Sequence, residues 1–360
     1  MVDSPSYDSR GLVNLFAEIE SRLIGSSPSP GLDPEISALI PDGDTYVVVL
    51  FDGLGIAQLA HDEAQSLRES LQASLDAPFP STTSVALATV ATALPPSRHG
   101  LISHLCWLSE TNRVVNTLKW VDLSGQPVHH DYGSFLPGPN LWERLRSAGV
   151  EPITAQPGPF AGSPLSRLVY RGARFEQTWD DHDLVEATVQ LATEPRRLIF
   201  TYFWPVDFAG HVHGLESREF GEALRLAANL WEDIVSRAPP GVTVLGTADH
   251  GLVDYADGDK ILIRGKPFQS LRYAGDPRGV HVWGEDSLLA SLAEQTGAET
   301  VDPLALLGPN PGPEARARAG KSMLLAPPGK VLLPPGFDKR LHAYHGGLAA
   351  GEIEIPLLVG

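Results

Sequence analysis

Cysteine is almost absent from this chain: Cys106 is the only one in 360 residues. No intrachain disulfide can form, so stability must come from a buried core, and a chain this long can build one. Positive charge is also scarce, with 27 lysines and arginines against 44 aspartates and glutamates and a net charge of −17. That argues against a protein that tracks a DNA or RNA backbone, which needs a basic face. Long apolar runs are missing too: none approaches the roughly 18 residues of a membrane helix. The opening residues, MVDSPSYDSRGLVNLFAEIESRL, hold no basic stretch followed by an apolar one, so no secretory leader is expected. With the single thiol, this points to a reducing cytoplasm. No internal repeat or low-complexity segment is visible.

What the chain does have is organised around Phe79–Gly100, FPSTTSVALATVATALPPSRHG. A Pro-Ser-Thr-Thr turn leads into an apolar, alanine-rich run that predicts a helix from about Ser84 to Leu94, stopped by Pro95-Pro96. Four hydroxyls (Ser81, Thr82, Thr83, Ser84) sit at its start, as N-caps do. Such an end presents unpaired N–H groups and the positive end of a helix dipole, which suits a phosphate. An ordinary cap on a core helix would look the same.

The rest of the chain alternates strands and helices. Residues 11–24 have helical spacing, followed by a Pro/Ser/Gly-rich lead-in. Thr45–Phe51 is a continuous β-branched and aromatic run, the pattern of a fully buried parallel strand, and Asp52 stands at its carboxyl end. Residues 112–132 read as strand and turn, Asn140 caps a helix that ends at Gly149, and a strand follows near 151–155. A helix is expected over about 181–193, then a buried strand, RRLIFTYFWPVD, ending in Asp207, with His211 four residues on. A helix over about 216–236 precedes GVTVLGTADHG, a third buried strand that ends in Asp249-His250. Residues 254–341 break the alternation and read as an insertion that partly covers the site, with one helix near 285–296. His345-Gly346-Gly347 precedes a last strand, EIEIPLLVG. The whole reads as one α/β domain with a mostly parallel sheet.

In open α/β sheets, ligands bind at the carboxyl ends of strands. Asp52, Thr83, Asp207, His211, Asp249, His250 and His345 all fall at such places. Taken singly each has an ordinary explanation: a helix cap for Asp52, a structural histidine for His211, a turn residue for His345. Together, three carboxylates, three histidines and a hydroxyl can be shared between two metal ions, and Asp/His sets suit zinc and manganese. Two such ions clamp the attacking and leaving oxygens of phosphoryl transfer, and a metal-bound threonine hydroxyl becomes a usable nucleophile.

The order of these motifs resembles the type I phosphodiesterase/nucleotide pyrophosphatase branch of the alkaline phosphatase superfamily. The motifs are FDG at Asp52, the P-x-x-T turn PSTT, and P-x-x-H-G as PSRHG. They continue with D-x-x-G-H at Asp207 to His211, D-H-G at Asp249, and a late H-G at His345. The resemblance spans residues 45–360 and implies a three-layer α/β/α sandwich with a small inserted lid. It implies one metal on Asp207, His211 and His345, and another on Asp52, Asp249, His250 and Thr83, with Mn²⁺ or Zn²⁺ as the ions. It makes Thr83 the nucleophile, with Thr82 one place off as the fallback. The family's phosphate-contacting Asn falls, counting from Thr83, on His104. The implied reaction is hydrolysis of nucleotide phosphodiesters or pyrophosphates through a phospho-threonine intermediate. Some cytoplasmic bacterial relatives of this type act on cyclic di-AMP, so a cyclic dinucleotide is a candidate substrate. A phosphonoacetate hydrolase-like C–P hydrolase, a phosphomonoesterase and an inactive nucleotide sensor stay open as alternatives. Trp107, Trp120, Tyr132 and Trp179 lie in the variable region, where aromatics could stack on a base but more often pack a core.

Overall fold

The computed structural model describes residues 4–129, 131 and 133–360; Tyr132 lies outside the described residues. Tyr46–Phe51 (β1) is buried at every position, as a strand covered on both faces must be. It lies at the middle of a seven-stranded sheet. The other strands, in chain order, are Leu71–Asp76 (β2), Glu151–Pro157 (β3), Arg174–Thr178 (β4), Arg197–Phe203 (β5), Thr243–Thr247 (β6) and Glu354–Val359 (β7). Their order in space is β2-β7-β6-β1-β5-β3-β4. β6, β1, β5, β3 and β4 are mutually parallel, and only β7 runs against its two neighbours.

Helices cover both faces of this sheet. Leu12–Ile24 (α1), Thr83–Thr92 (α2) and Leu141–Ser147 (α3) pack on one another in one layer. Asp181–Leu191 (α4), Pro205–His213 (α5) and Arg218–Arg237 (α6) form the other. α3 starts with a reciprocal cap in which Asn140 Oδ1 accepts from the Glu143 N–H and Glu143 accepts from the Asn140 N–H. All ten residues of α2 are buried, which explains why it carries no polar face.

Two expectations are corrected. The strand before Asp207 stops at Phe203, and Pro205 opens a new helix. Proline has no N–H for a ladder, and its fixed φ suits the first helical turn. Asp207 and His211 therefore stand one turn apart on α5 rather than at a strand end. The helix after the hydroxyl cluster runs from Thr83 to Thr92, with Ala93 left-handed at φ 53°. No hydroxyl caps it; they are turned to tertiary partners instead.

Residues 254–341 contribute most of a second seven-stranded sheet. Its strands are ordered Glu299–Val301, Ser322–Leu325, Gly279–Trp283, Arg272–Asp276, Leu105–Leu108, Arg113–Asn116 and Val121–Asp122. The late segment is thus joined edge to edge with residues 105–122, through the Gly275–Leu105 pair.

Candidate active site

The three carboxylates are locked together through backbone. The Asp52 N–H donates to Phe203 O at 2.9 Å, and the Asp207 N–H donates to Asp52 O at 3.0 Å. Gly53 has φ +76°, and a Cβ there would lie 2.9 Å from Asp207 Cα, so only glycine lets the β1 turn meet the start of α5. Asp249 Oδ1 accepts from the Gly53 N–H at 3.1 Å and the His250 N–H at 3.0 Å. Asp52 Oδ2 accepts from the Tyr202 hydroxyl, which comes from β5.

The histidines share one device. His211 Nδ1 donates to Ala343 O at 2.7 Å, His250 Nδ1 to Gly251 O at 3.1 Å, and His345 Nδ1 to Ser81 O at 2.9 Å. A carbonyl can only accept, so each ring carries a proton on Nδ1, and Nε2 is the atom whose lone pair, in the Nδ1–H tautomer, turns inward. The His250 and His345 rings stack at 3.8 Å, and His211 lies 5.1 Å from His345. Burial first, then His250 and His211, hold the His345 imidazole well below its ordinary pKa and hence neutral.

These lone pairs face carboxylate oxygens. His211 Nε2 is 3.2 Å from Asp207 Oδ1, and His250 Nε2 is 3.4 Å from Asp249 Oδ2 and 3.5 Å from Asp52 Oδ1. Asp207 Oδ1 and Asp249 Oδ2 are buried with no hydrogen-bond donor among the described residues. Burial, then Asp249 and Asp207, push Asp52 well above the usual carboxylate range. Acceptor against acceptor at such distances is repulsive, and a cation between them turns each contact favourable. The ligand atoms fall into two groups, each within 4.8 Å: Asp207, His250 and His345, and Asp52, Asp249 and His250. His250 borders both groups.

Thr83, the first residue of α2, points its hydroxyl into the same place, 3.2 Å from His250 Nε2 and 3.5 Å from Asp52 Oδ1. Its own N–H and that of Ser84 donate to no backbone carbonyl among the described residues. Ser81 straps this turn to the late loop: its hydroxyl donates to Gly347 O at 3.0 Å and accepts from the Gly346 N–H at 3.1 Å. The fold thus gathers all seven strand-end candidates, from Asp52 to His345, at one place.

That place opens into a cavity of about 350 Å³. Its lining includes Thr83, Asp207, His211 and His345, together with Thr82, His104, Asn116 and Asp276, and with Phe337, Asp338 and Tyr344. Among the described residues, no lysine or arginine lines it. Burial raises the Asp276 carboxyl to about 7. His104 donates its N–H to Asp276 Oδ2 at 3.2 Å and sets its ring against Asn116. Trp107, Trp120 and Trp179 are elsewhere: Trp107 stacks under Arg272, Trp120 is buried, and Trp179 is 75% exposed. Tyr202, Asn116, Asp276 and Phe337 were not visible as site residues in the sequence. Tyr202 is hidden in a continuous apolar strand, and the others come from the second sheet and its loops.

The fold defines a class, the alkaline phosphatase-like α/β proteins. More narrowly, the chain belongs to the type I phosphodiesterase/nucleotide pyrophosphatase family, whose model matches residues 46–269. The family's phosphodiester and pyrophosphate hydrolases set the enzyme class of this chain, phosphoric diester hydrolase. Among solved structures, murine ectonucleotide pyrophosphatase/phosphodiesterase 5, an inactive variant in complex with AMP, is similar at 16% identity and a TM-score of 0.68, with 87% of each chain covered. The human counterpart matches at 15% and 0.67, covering 88% of this chain and 87% of that one. Phosphonoacetate hydrolase from Sinorhizobium meliloti, in complex with phosphonoformate, matches at 18% and 0.65, covering 89% and 91%. At these identities the likeness shows the fold. No curated protein sequence matches the chain. No helix among the described residues is long and apolar enough to cross a membrane.

Proposed function

We propose that this protein hydrolyses a nucleotide phosphodiester or pyrophosphate with Thr83 as nucleophile. The observation that carries the reading is the set of inward lone pairs on His211, His250 and His345 opposed to unpaired carboxylate oxygens around the Thr83 hydroxyl. The residues fit two divalent cations: Asp207, His211 and His345 on one side, Asp52, Asp249 and Thr83 on the other, with His250 beside both. Bound there, Mn²⁺ or Zn²⁺ would supply positive charge to the phosphoryl oxygens and lower the pKa of the threonine hydroxyl and of the hydrolytic water.

The chain's own groups do the rest. Thr83 Oγ1 attacks phosphorus and forms a phospho-threonyl ester as the first alcohol leaves; water then attacks in line and restores the hydroxyl. The Thr83 and Ser84 N–H groups at the start of α2 point to the end where an anion is stabilised, of the order of 2–4 kcal/mol per well-placed donor. His104, on the wall, contacts a phosphoryl oxygen.

That no lysine or arginine among the described residues lines the cavity favours a diester over the alternatives. A diester bears one negative charge. A phosphomonoester bears two, and phosphonoacetate adds a carboxylate that needs a cation of its own. Phe337 and Tyr344 offer apolar faces for a nucleoside, and a cyclic dinucleotide such as cyclic di-AMP is the leading candidate.

The test is chromatographic. Purified protein is incubated with Mn²⁺ or Zn²⁺ and with cyclic di-AMP, linear dinucleotides, ATP or phosphonoacetate, against a chelator control. Metal-dependent release of a mononucleotide supports the reading. Phosphate released from phosphonoacetate alone replaces it with C–P hydrolysis, and nucleotide binding without turnover replaces it with a sensor.

A further inference from the structure

We propose that Asn116 is a positioning residue that holds His104 as its Nδ1–H tautomer, giving the cavity wall a neutral hydrogen-bond donor for the phosphoryl group. The proposal rests on the phosphodiesterase reading for its catalytic part.

The inference follows from donors and acceptors alone. Asn116 ends the strand Arg113–Asn116, and its side-chain oxygen accepts from the N–H groups of Leu118 at 3.0 Å and Lys119 at 3.1 Å. Those two bonds identify which end of the carboxamide is oxygen, independently of the imidazole. The Asn116 Nδ2 group is therefore the end that lies 3.1 Å from His104 Nε2. An amide NH₂ can only donate, so His104 Nε2 must accept, and the ring proton resides on Nδ1.

Nδ1 makes no hydrogen bond to any described residue, and His104 lines the cavity that holds Thr83, Asp207, His211 and His345. The His104 main chain is fixed by its N–H to Asp276 Oδ2 and by its carbonyl, which accepts from the Thr117 N–H at 2.9 Å. Only the ring is free to turn, and the Asn116 amide opposes its flip. Burial, then His211 and Lys119, hold the imidazole pKa down to about 4, so at neutral pH the donor is uncharged. A neutral donor suits the single charge of a diester in a cavity that no lysine or arginine lines among the described residues.

Asn116→Asp separates this role from a structural one. A carboxylate oxygen still accepts from the Leu118 and Lys119 N–H groups, so the turn survives, but the group facing His104 changes from donor to acceptor. Long-range ¹⁵N–¹H correlation spectra of histidine-labelled, zinc-loaded protein at mildly alkaline pH read the tautomer directly. The expected result is Nδ1–H in the wild type and Nε2–H in Asn116→Asp. With bis(4-nitrophenyl) phosphate, kcat/KM of Asn116→Asp should fall about 10- to 100-fold, mostly in kcat. In a His104→Ala background the same substitution should cost little more. An Nε2–H ring in the wild type, an unchanged tautomer in Asn116→Asp, or losses that add fully in the His104→Ala background would each overturn the proposal. A wild type with no diester turnover would overturn the phosphodiesterase reading and the donor's catalytic part with it, while the two spectra would still decide the tautomer.

Discussion

Tyr202→Phe removes one oxygen from behind Asp52, a candidate metal ligand, and nothing else. Tyr202 is buried on β5, and its hydroxyl donates to Asp52 Oδ2. Burial, then the neighbouring Asp52 and Asp249, raise its pKa well above the ordinary value, so the proton stays on the phenol at any working pH. The ring keeps its contact with Phe160, whose centroid is 6.2 Å away, and no cavity larger than the lost hydroxyl opens. A hydrogen bond to a charged partner is worth about 1.5–3 kcal/mol, which is roughly 10- to 150-fold in an equilibrium constant. Groups that orient a metal ligand typically change affinity about 10- to 100-fold. We expect Mn²⁺ or Zn²⁺ to bind the variant 10- to 100-fold more weakly, by these estimates. Calorimetric titration of chelator-stripped protein measures this. Affinity within about twofold of the wild type would refute the argument that Tyr202 aims Asp52 at a cation.

Three further outcomes are expected. Thr83→Ala should abolish turnover while metal titration stays close to the wild type, and Thr82→Ala should retain turnover; the reverse pattern would move the nucleophile by one residue. Asp276 has a folded pKa of about 7, above its ordinary 3.8, so its stabilising proton is in place below about pH 4 and is lost as pH rises through 7. Asp276→Asn, which can still accept from the His104 N–H, should therefore be the more stable protein at alkaline pH, by at most roughly 4 kcal/mol, and thermal melts against pH would show a flatter curve. Asp52 is likewise raised, so metal-free protein should lose stability as pH climbs from the ordinary carboxylate range, and the Tm gained on adding metal should grow with pH. A gain that is flat with pH would count against a carboxylate cluster waiting for a cation.

Much of this was legible in the sequence because the signals were local. The unbroken apolar run of β1 could only be a buried parallel strand, and a polar residue at its end, Asp52, stands out against it. The fold class and the family follow from several such ends in one order. Asp207 was misplaced because Phe203 to Val206 continues the apolar run of β5, and only Pro205 marks the change to helix. The hydroxyls around Thr83 look like caps in sequence, yet their partners lie far along the chain, as in Ser81 with Gly347. The second sheet was illegible for the same reason: Leu105 meets Gly275 across a separation that no local pattern encodes. Asn116 gives a fair local turn signal, but its partner in the ring of His104 is a matter of pairing between strands.

The position of β7 bears on the order of folding. The last strand of the chain is not an edge; it sits between β2 and β6, and His345 rides on the segment just before it. With β7 undocked, the sheet is split and the set of candidate ligands is incomplete. Ser81, made early, waits for Gly346 and Gly347 before the nucleophile turn is strapped down. The candidate ligand set is therefore complete only once β7 has docked between β2 and β6, so early and late parts of the sequence must meet before the seven side chains share one place.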